Sequence, residues 1–435
     1  MLTGDRPYRK AMSPEAVMEE IPTIRLENEI ERSFEMDKIE LIATATFGLE
    51  AIVAREVRKL GFDEVKVENA RVTFLASLAD ICRANLWLRS ADRVLVKMGE
   101  FPARSFTELF DQTRELPWSD WLPANANFPV QGKSIRSKLF SVPDCQAIVK
   151  KAVVESLKGR YHQEWFEESG PRYTIEVALL KDIATLTLDS SGAGLHKRGY
   201  RQLSSAAPLK ETLAAAMIDL SRWHPDRLMF DPFCGSGTIP IEAAMIALNQ
   251  APGLKREFAA EKWPVIPQKH WLDARSEAND LLKRDLTLKI RGTDINKEVL
   301  SLARYHARQA GLEKHIHFQQ MPVNQLQTRE KYGFLICNPP YGQRLEDLPS
   351  VEKLYRDMAS VFKKNLETWS FYILTAHKDF EHVFGRRADK RRKLYNGRIE
   401  THFYQFFGPK PPRRKHEAEM LENDFDKAGQ GKGLI

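Results

Sequence analysis

Residues 228–250 read LMFDPFCGSGTIPIEAAMIALNQ, a short apolar run that passes through a turn with two glycines into a longer apolar run. The first run predicts a buried β-strand, and the second, from residue 238, predicts a buried helix. Open parallel α/β sheets bind ligands at such a junction, and Gly235 and Gly237 let the backbone turn sharply and approach a ligand closely. The stretch therefore predicts an α/β domain with a binding crevice, although a tight turn without a ligand is an alternative use of the glycines.

The chain beyond this stretch repeats the alternation of strand and helix. Further strands are predicted at residues 289–295, 315–320, 334–338 and 370–376. NKEVLSLARYHARQAG at 296–311 predicts a helix that asparagine caps and glycine ends. KLYNGRIETHFYQFF at 393–407 predicts a closing hairpin turned by Asn396 and Gly397. Such βα units are typical of a mostly parallel sheet with covering helices.

The first half of the chain has a different pattern. Residues 1–38 are polar and acidic and are interpreted as an extension. From IELIATA at 39–45 onward, strands, helices and hairpins follow one another without regular βα alternation. This pattern indicates compact α+β structure up to about residue 190.

Composition excludes several function classes. The chain has 435 residues, of which 43% are hydrophobic and 29% charged, as in folded globular proteins. It lacks an apolar run of the roughly 18–20 residues that would span a bilayer and has no apolar signal-peptide core. Its four cysteines, Cys82, Cys145, Cys234 and Cys337, are far apart and not at zinc-binding spacing. We therefore expect no membrane association, no metal and a reducing, cytoplasmic location.

The positive charge is unevenly distributed. The whole chain carries a formal charge of +7, yet residues 386–415 alone contain 11 basic and 2 acidic side chains. Residues 40–190 contain 20 basic and 21 acidic side chains and are nearly neutral. A polyanionic partner is therefore expected to meet the second half of the chain.

Two polar residues that follow predicted strands are candidate ligands for a nucleoside. Asp294 ends the strand before the capped helix, where a carboxylate can accept both hydroxyls of a ribose; a carboxylate that stabilises the helix start is the alternative. Asn324 follows the next strand and is positioned for an adenine edge, or simply for a turn. Neither a GxGxxG fingerprint nor a P-loop accompanies the glycine turn, which disfavours dinucleotides and nucleoside triphosphates.

Asn338-Pro-Pro-Tyr341 follows the apolar strand FLIC and indicates the reaction class. The prolines restrict the backbone and donate no hydrogen bond, so that the Asn338 amide oxygen and the Pro339 carbonyl are held as acceptors beside the flat face of Tyr341. These groups suit a planar exocyclic amine, whose two N–H groups are held while its ring stacks on tyrosine. A purely structural turn is the alternative.

Taken together, DPFCGSGT, TDIN and NPPYG resemble the motifs of class I S-adenosylmethionine-dependent N-methyltransferases that act on amino groups. SKLFS at 137–141, LHKRGYR at 195–201 and APLKETLAAA at 207–216 resemble the THUMP-containing rRNA guanine-N2 methyltransferases of the RlmL/YpsC type. The resemblance covers residues 39–408 and implies a Rossmann-like, mostly parallel seven-stranded sheet with a terminal antiparallel hairpin. The implied domains are an extension (1–38), a ferredoxin-like α+β module (39–100), a THUMP RNA-binding domain (101–192), a methyltransferase domain (193–408) and a flexible tail (409–435).

The same resemblance implies roles for individual residues. The residues that would bind S-adenosylmethionine are Pro208, Lys210, Glu211, Asp231, Phe233, Gly235, Ser236, Gly237, Thr238, Asp294, Ile295 and Asn324. The residues that would receive the target base are Asn338, Pro339, Pro340 and Tyr341. Many class I enzymes carry aspartate where this chain has Asn324, so the adenine contact departs from the common pattern. Enterobacterial relatives fuse a second methyltransferase domain that this sequence does not contain, so a single methylation is expected.

Two basic stretches are candidate contacts for the RNA backbone. The first, LHKRGYR, contributes His196, Lys197, Arg198 and Arg201, with a solvated linker as the alternative. The second, residues 386–393, has six basic residues in eight and contributes Arg386, Arg387, Lys390, Arg391 and Arg392. The long connection at 250–289 is expected to overhang the site, with His270 and Trp271 as possible base contacts.

The sequence thus predicts an enzyme that transfers a methyl group from S-adenosylmethionine to the N2 amine of a flipped guanine in 23S rRNA. Three alternatives remain open. A tRNA guanine-N2 methyltransferase would use the same residues, a DNA adenine-N6 methyltransferase shares the NPPY motif, and a non-catalytic rRNA-binding assembly factor could keep the fold. The oligomeric state is not predicted.

Overall fold

The computed structural model describes residues 38–201, 203, 209–342 and 347–412. They form two compact units. Unit one comprises residues 38–45, 53–195 and 256–280, and unit two comprises the described parts of 46–52, 196–255 and 281–412. Among the described residues, no helix is long and apolar enough to cross a membrane, and no three His, Cys, Asp or Glu side chains are grouped as metal ligands.

Unit one is built on one continuous seven-stranded sheet in the order β2-β3-β1-β4-β7-β6-β5. The strands are β1 (Ile39–Ala45), β2 (Val65–Glu68), β3 (Arg71–Ala76), β4 (Ala91–Pro102), β5 (Val130–Ile135), β6 (Thr174–Leu180) and β7 (Ile183–Asp189). The helices in this part of the chain are α1 (Glu50–Lys59), α2 (Leu78–Trp87), α3 (Phe106–Arg114), α4 (Trp118–Trp121) and α5 (Val142–Tyr161). Strand β4 has 12 residues and pairs with both β1 and β7, so it joins the segments predicted as ferredoxin-like and THUMP modules into a single sheet.

The insertion at 256–280, which contains helix α8 (Gln268–Asp280), folds with unit one. Trp263 stacks on Tyr173, with ring centroids 4.5 Å apart. Trp271 is fully buried and stacks on Phe258 at 5.4 Å. The expectation that Trp271 contacts a base is therefore wrong, because an indole enclosed in the core presents no face to a ligand.

Unit two contains the expected seven-stranded, mostly parallel sheet, in the order β10-β9-β8-β11-β12-β14-β13. Its strands are β8 (Met229–Asp231), β9 (Ile290–Asp294), β10 (Ile316–Gln320), β11 (Phe334–Cys337), β12 (Ser370–Thr375), β13 (Lys390–Asn396) and β14 (Ile399–Phe406). Its helices are α6 (Glu211–Ser221), α7 (Thr238–Ala247), α9 (Lys297–Ala310), α10 (Leu348–Asn365) and α11 (Phe380–Phe384). Strands β8 to β12 are parallel, and β13–β14 form the antiparallel hairpin, which confirms the predicted Rossmann-like class.

Both faces of this sheet are buried, which explains the nearly continuous apolar runs in its strands. Ile336 and Leu374 face one core cluster, whereas their neighbours Leu335 and Ile373 face the other. As expected, Asn296 caps α9 by accepting the backbone N–H groups of residues 298 and 299, and Gly311 ends the helix with φ 78°. This order places the carboxyl ends of β8, β9 and β11 along one edge of the sheet.

The terminal hairpin turns one residue later than the sequence suggested. Asn396 still pairs with Ile399, so that Gly397 and Arg398 form the two-residue loop. Gly397 has φ 64°, and glycine at the first loop position is typical of a type II′ turn. Asn396 is therefore held in the strand ladder and not at the centre of the turn.

Candidate active site

The glycine turn after β8 is held by hydrogen bonds that its backbone N–H groups donate to two carboxylates. Buried Asp231 accepts the backbone N–H of Phe233 at 3.0 Å, and Asp294, at the end of β9, accepts that of Gly235 at 3.1 Å. Gly235 has φ 51° and open space where a Cβ would lie, and Gly237 has φ 86°. Burial raises the pKa of Asp231 well above its ordinary value, and its hydrogen bond with the turn acts in the opposite direction. The turn is therefore preorganised, with open space beside its backbone.

Asp294 also fixes the start of helix α9. Its Oδ1 accepts the backbone N–H of Asn296 at 2.9 Å, while its Oδ2 binds the glycine turn. Each oxygen keeps further acceptor capacity, and the neighbouring Ile295 side chain is 69% exposed. The carboxylate is thus both anchored and available to a ligand.

One cavity of about 940 Å³ lies along the carboxyl edge of the unit-two sheet. We call its two parts the β9 half and the β11 half. The β9 half is lined by Lys210, Pro232, Phe233, Asp294, Ile295, Asn296, Pro322, Val323 and Asn324. The β11 half is lined by Asn338, Pro339, Pro340, Tyr341, Gly342, Asp347, Leu354, Asp357, Asn396, Gly397 and Ile399. The predicted nucleoside and amine sites are therefore adjoining parts of one cavity.

The turn after β11 is braced from two sides. The Tyr341 hydroxyl donates a hydrogen bond to Asn338 Oδ1. Tyr355 on helix α10 donates to the Pro340 carbonyl at 2.6 Å and shares a 2.8 Å hydrogen bond with Thr375. Burial raises the pKa of Tyr341, so its hydroxyl is protonated at neutral pH. Burial also raises the pKa of the Cys337 thiol, which argues against a thiolate nucleophile here.

Comparisons with known proteins agree with this architecture. Residues 40–95 match the RlmL ferredoxin-like domain, residues 103–189 the THUMP domain, and residues 198–405 the RMKL-like methyltransferase domain. The chain is 50% identical over 383 residues to the putative RNA methyltransferase YpsC of Bacillus subtilis, covering 87% of this chain and 99% of that protein. The chain belongs to the RlmL/YpsC family of S-adenosylmethionine-dependent RNA methyltransferases.

Other RlmL/YpsC relatives differ in length and in the activity that their names describe. Ribosomal RNA large subunit methyltransferase K/L of Syntrophotalea carbinolica is 34% identical over 85% of this chain, which spans only 53% of that protein. The structure of the putative methyltransferase SMU.472, complexed with SAH, is 46% identical with TM-score 0.82, covering 87% of this chain and 100% of that one. A Listeria monocytogenes structure described as a predicted N6-adenine-specific DNA methylase is 52% identical with TM-score 0.83, covering 87% and 98%. S-adenosylmethionine is therefore the methyl donor of this RlmL/YpsC-family enzyme.

In this RlmL/YpsC-family structure, the predicted cofactor residues divide into four groups. Lys210, Phe233, Asp294, Ile295 and Asn324 line the cavity. Asp231, Gly235, Ser236, Gly237 and Thr238 form the turn beside it and do not line it. Pro208 lies outside the described residues. Glu211, also predicted to bind S-adenosylmethionine, is buried, forms an ion pair with Arg201 at 3.3 Å and does not line the cavity.

Two arginines of the LHKRGYR stretch are paired inside unit two. Arg198 is only 2% exposed and makes two 3.2 Å hydrogen bonds to the carboxylate of buried Glu242 on α7. Arg201 pairs with Glu211 and donates to Thr238 Oγ1 at 2.5 Å. The expected RNA contact is therefore wrong for Arg198, because its guanidinium is enclosed and its charge is balanced internally.

Elsewhere in the first basic stretch, Lys197 is exposed, His196 is half-buried and Arg201 is mostly enclosed. In the second basic stretch, Arg386, Arg387, Lys390 and Arg391 are exposed and Arg392 is half-buried. Residues 390–392 lie on β13, the edge strand of the sheet. Arg386 is 3.7 Å from Asp389, and Arg391 is 3.6 Å from Glu381. Exposed ion pairs of this kind contribute little free energy, so that both arginines can exchange these partners for phosphates. An RNA contact by this edge strand remains a prediction.

Three polar residues in the β11 half were missed by sequence reasoning. Asp347 and Asp357 reach the cavity from the start and the middle of α10, and Asn396 reaches it from the hairpin. The Asn-Gly dipeptide predicted a hairpin turn, but it gave no indication that the Asn396 side chain lines the cavity. For Asp357 the sequence carried no distinguishing signal, because helical periodicity shows which face is apolar and not what the polar face meets.

Proposed function

We propose that this enzyme methylates the exocyclic N2 amine of a guanine in large-subunit rRNA. The observation that carries the proposal is the acceptor-rich chemistry of the β11 half, where carboxylates at 347 and 357 line the same cavity as the Asn338 amide. Guanine presents two neighbouring donors on its Watson–Crick edge, the N1–H and the N2 amine. Adenine presents one amine beside an acceptor nitrogen, which a carboxylate would repel.

The β9 half fits the methyl donor. Phe233, Ile295 and Val323 supply apolar contact area for an adenine ring, and the anchored Asp294 carboxylate supplies acceptors for ribose hydroxyls. Lys210, which also lines this half, adds a cation for an amino-acid carboxylate. When bound, S-adenosylmethionine supplies an electrophilic methyl group on a sulfonium.

The chain's own contribution to the reaction is to orient the amine and increase its reactivity. Asn338 Oδ1 and the Pro339 carbonyl would accept one N–H each from the target amine, which favours a pyramidal nitrogen with its lone pair free for attack. The Tyr341 ring would support the base. Removing one preorganised hydrogen-bonding group from an active site typically costs about 10²–10³ in rate, and we expect a similar cost for an acceptor of the amine.

The RNA would approach along the edge strand β13. Its exposed cations at Lys390 and Arg391 lie on the same hairpin as Asn396, which lines the cavity. Phosphates along this edge would bring a flipped base to the β11 half, at an unstacking cost of about a few kcal/mol. We assign the substrate to the large subunit because of the name of the Syntrophotalea carbinolica relative, ribosomal RNA large subunit methyltransferase K/L. An enzyme with this substrate would act in the cytoplasm.

The test combines unmodified 23S rRNA transcribed in vitro with tritiated S-adenosylmethionine, followed by nucleoside analysis. We expect N2-methylguanosine as the product. Asn338→Ala should reduce the rate about 10²–10³-fold while the affinity for S-adenosylhomocysteine, measured by calorimetry, stays within about threefold of wild type. Asn338→Asp keeps an acceptor and should lose much less activity.

Other products would refute the guanine assignment. N6-methyladenosine as the product, or transfer only to DNA, would favour an adenine-N6 methyltransferase. Transfer to tRNA alone would identify tRNA, and not rRNA, as the substrate. Absence of transfer to any of these nucleic acids would leave a non-catalytic binding role. An Asn338→Ala variant that loses cofactor affinity and rate equally would show that the motif serves the fold.

A further inference from the structure

The acceptor required by the proposed reaction is already engaged in this structure. The Tyr341 hydroxyl donates its proton to Asn338 Oδ1. The side chain of Asn396 lines the same cavity as Tyr341 and lies close enough to its hydroxyl to lower the pKa of that group, against the larger effect of burial. An incoming amine must therefore displace the phenol from Asn338 before its own N–H can bind there.

Asn396 is held firmly beside this hydroxyl. It is the last residue of β13, and its pairing with Ile399 closes a two-residue loop. Leu394, two residues earlier, is fully buried, and its carbonyl accepts a hydrogen bond from Thr401 at 3.1 Å. The backbone next to Asn396 is thus anchored in the core, and its amide is presented at the cavity wall without a long flexible segment.

A carboxamide at this position can exchange roles. An asparagine side chain has two N–H donors and one acceptor oxygen. It can donate to the phenol while the phenol is bound to Asn338, and after rotation it can accept the phenolic proton itself. After the exchange the phenolic proton is still hydrogen-bonded, and the Asn338 oxygen is released for the substrate.

We propose that Asn396 is a positioning residue for methyl transfer. When the target base enters, Asn396 replaces Asn338 as the hydrogen-bond acceptor of the Tyr341 hydroxyl. The inference rests on the proposed function, because it concerns how Asn338 becomes available to an amine. It makes the hairpin a functional part of the β11 half and assigns the Tyr341 hydroxyl a role separate from stacking by its ring.

The test is a double-mutant cycle with wild type, Asn396→Ala, Tyr341→Phe and the double variant. Single-turnover rates are measured with saturating S-adenosylmethionine and the 23S transcript. Asn396→Ala should slow transfer about tenfold, the equivalent of one hydrogen bond, because the phenol then competes with the amine for Asn338. Tyr341→Phe removes that competition, so adding Asn396→Ala to it should change the rate less than about twofold.

Controls separate this role from folding and from the proposed function. Every variant should keep its unfolding temperature and its affinity for S-adenosylhomocysteine, and Glu400→Gln on the same hairpin should be as active as wild type. An equal loss on Asn396→Ala with and without the Tyr341→Phe substitution, or no loss in either background, would overturn the inference while transfer by the wild type still supported the function. Failure of the wild type to methylate any RNA would overturn both.

Discussion

The two basic stretches resemble each other in sequence and differ completely in environment. LHKRGYR buries Arg198 against Glu242 inside unit two, whereas residues 386–393 place most of their cations on the exposed edge strand β13. The difference lies in the partners. Glu242 sits on α7 at full burial, and a charge of that kind remains buried only when it is paired. The density of basic residues along a chain therefore does not distinguish an RNA-binding surface from an internal ion pair.

The largest predicted effect is on the buried side of this comparison. Arg198→Ala leaves the Glu242 carboxylate buried without its partner and should lower the free energy of unfolding by about 3–5 kcal/mol. Denaturant unfolding measures the change. The double variant Arg198→Met/Glu242→Leu removes both charges and should recover most of the loss. A cost below about 1 kcal/mol for Arg198→Ala would show that the pair is solvated after all.

A smaller effect is expected on the exposed side. Lys390→Gln/Arg391→Gln should reduce the slope of log K against log salt for RNA binding by about 1 for each phosphate that the strand no longer neutralises. The free energy of unfolding should change by no more than about 0.5 kcal/mol for each substitution. Arg308→Gln/Lys314→Gln removes the same charge from exposed positions outside β13 and serves as the control. An equal change in slope for both pairs would mean that only net charge matters.

The smallest effect is expected at an exposed residue of LHKRGYR, next to the buried arginine. Lys197 adjoins Arg198 but is exposed, so Lys197→Ala should change the free energy of unfolding by only about 0.5 kcal/mol. The ratio of the Arg198 and Lys197 effects, obtained from the same unfolding curves, measures how sharply burial changes between adjacent residues. Comparable losses at both positions would contradict the contrast between an enclosed and a solvated cation.

Much of the catalytic domain could be predicted because its signals are local. Strands buried on both faces require continuous apolar runs, caps require particular residues, and the turn after β8 requires glycine, as the positive φ angles at 235 and 237 show. The position of the cavity was also expected, since Asp294 ends one strand and Asn338 directly follows another. Residues further along the chain escaped prediction, because nothing local relates Asp357 or Asn396 to the end of β11.

The sequence by itself determined the Rossmann-like class, the family and the motif residues, because periodicity, turn chemistry and motif spacing are properties of short segments. Only the tertiary structure decided which polar side chains share a site and which charges reach solvent. It placed Arg198 opposite Glu242, the 256–280 insertion in unit one, and Asn396 beside Tyr341. These outcomes depend on contacts between segments far apart in the chain, and burial and pairing are set by such contacts alone.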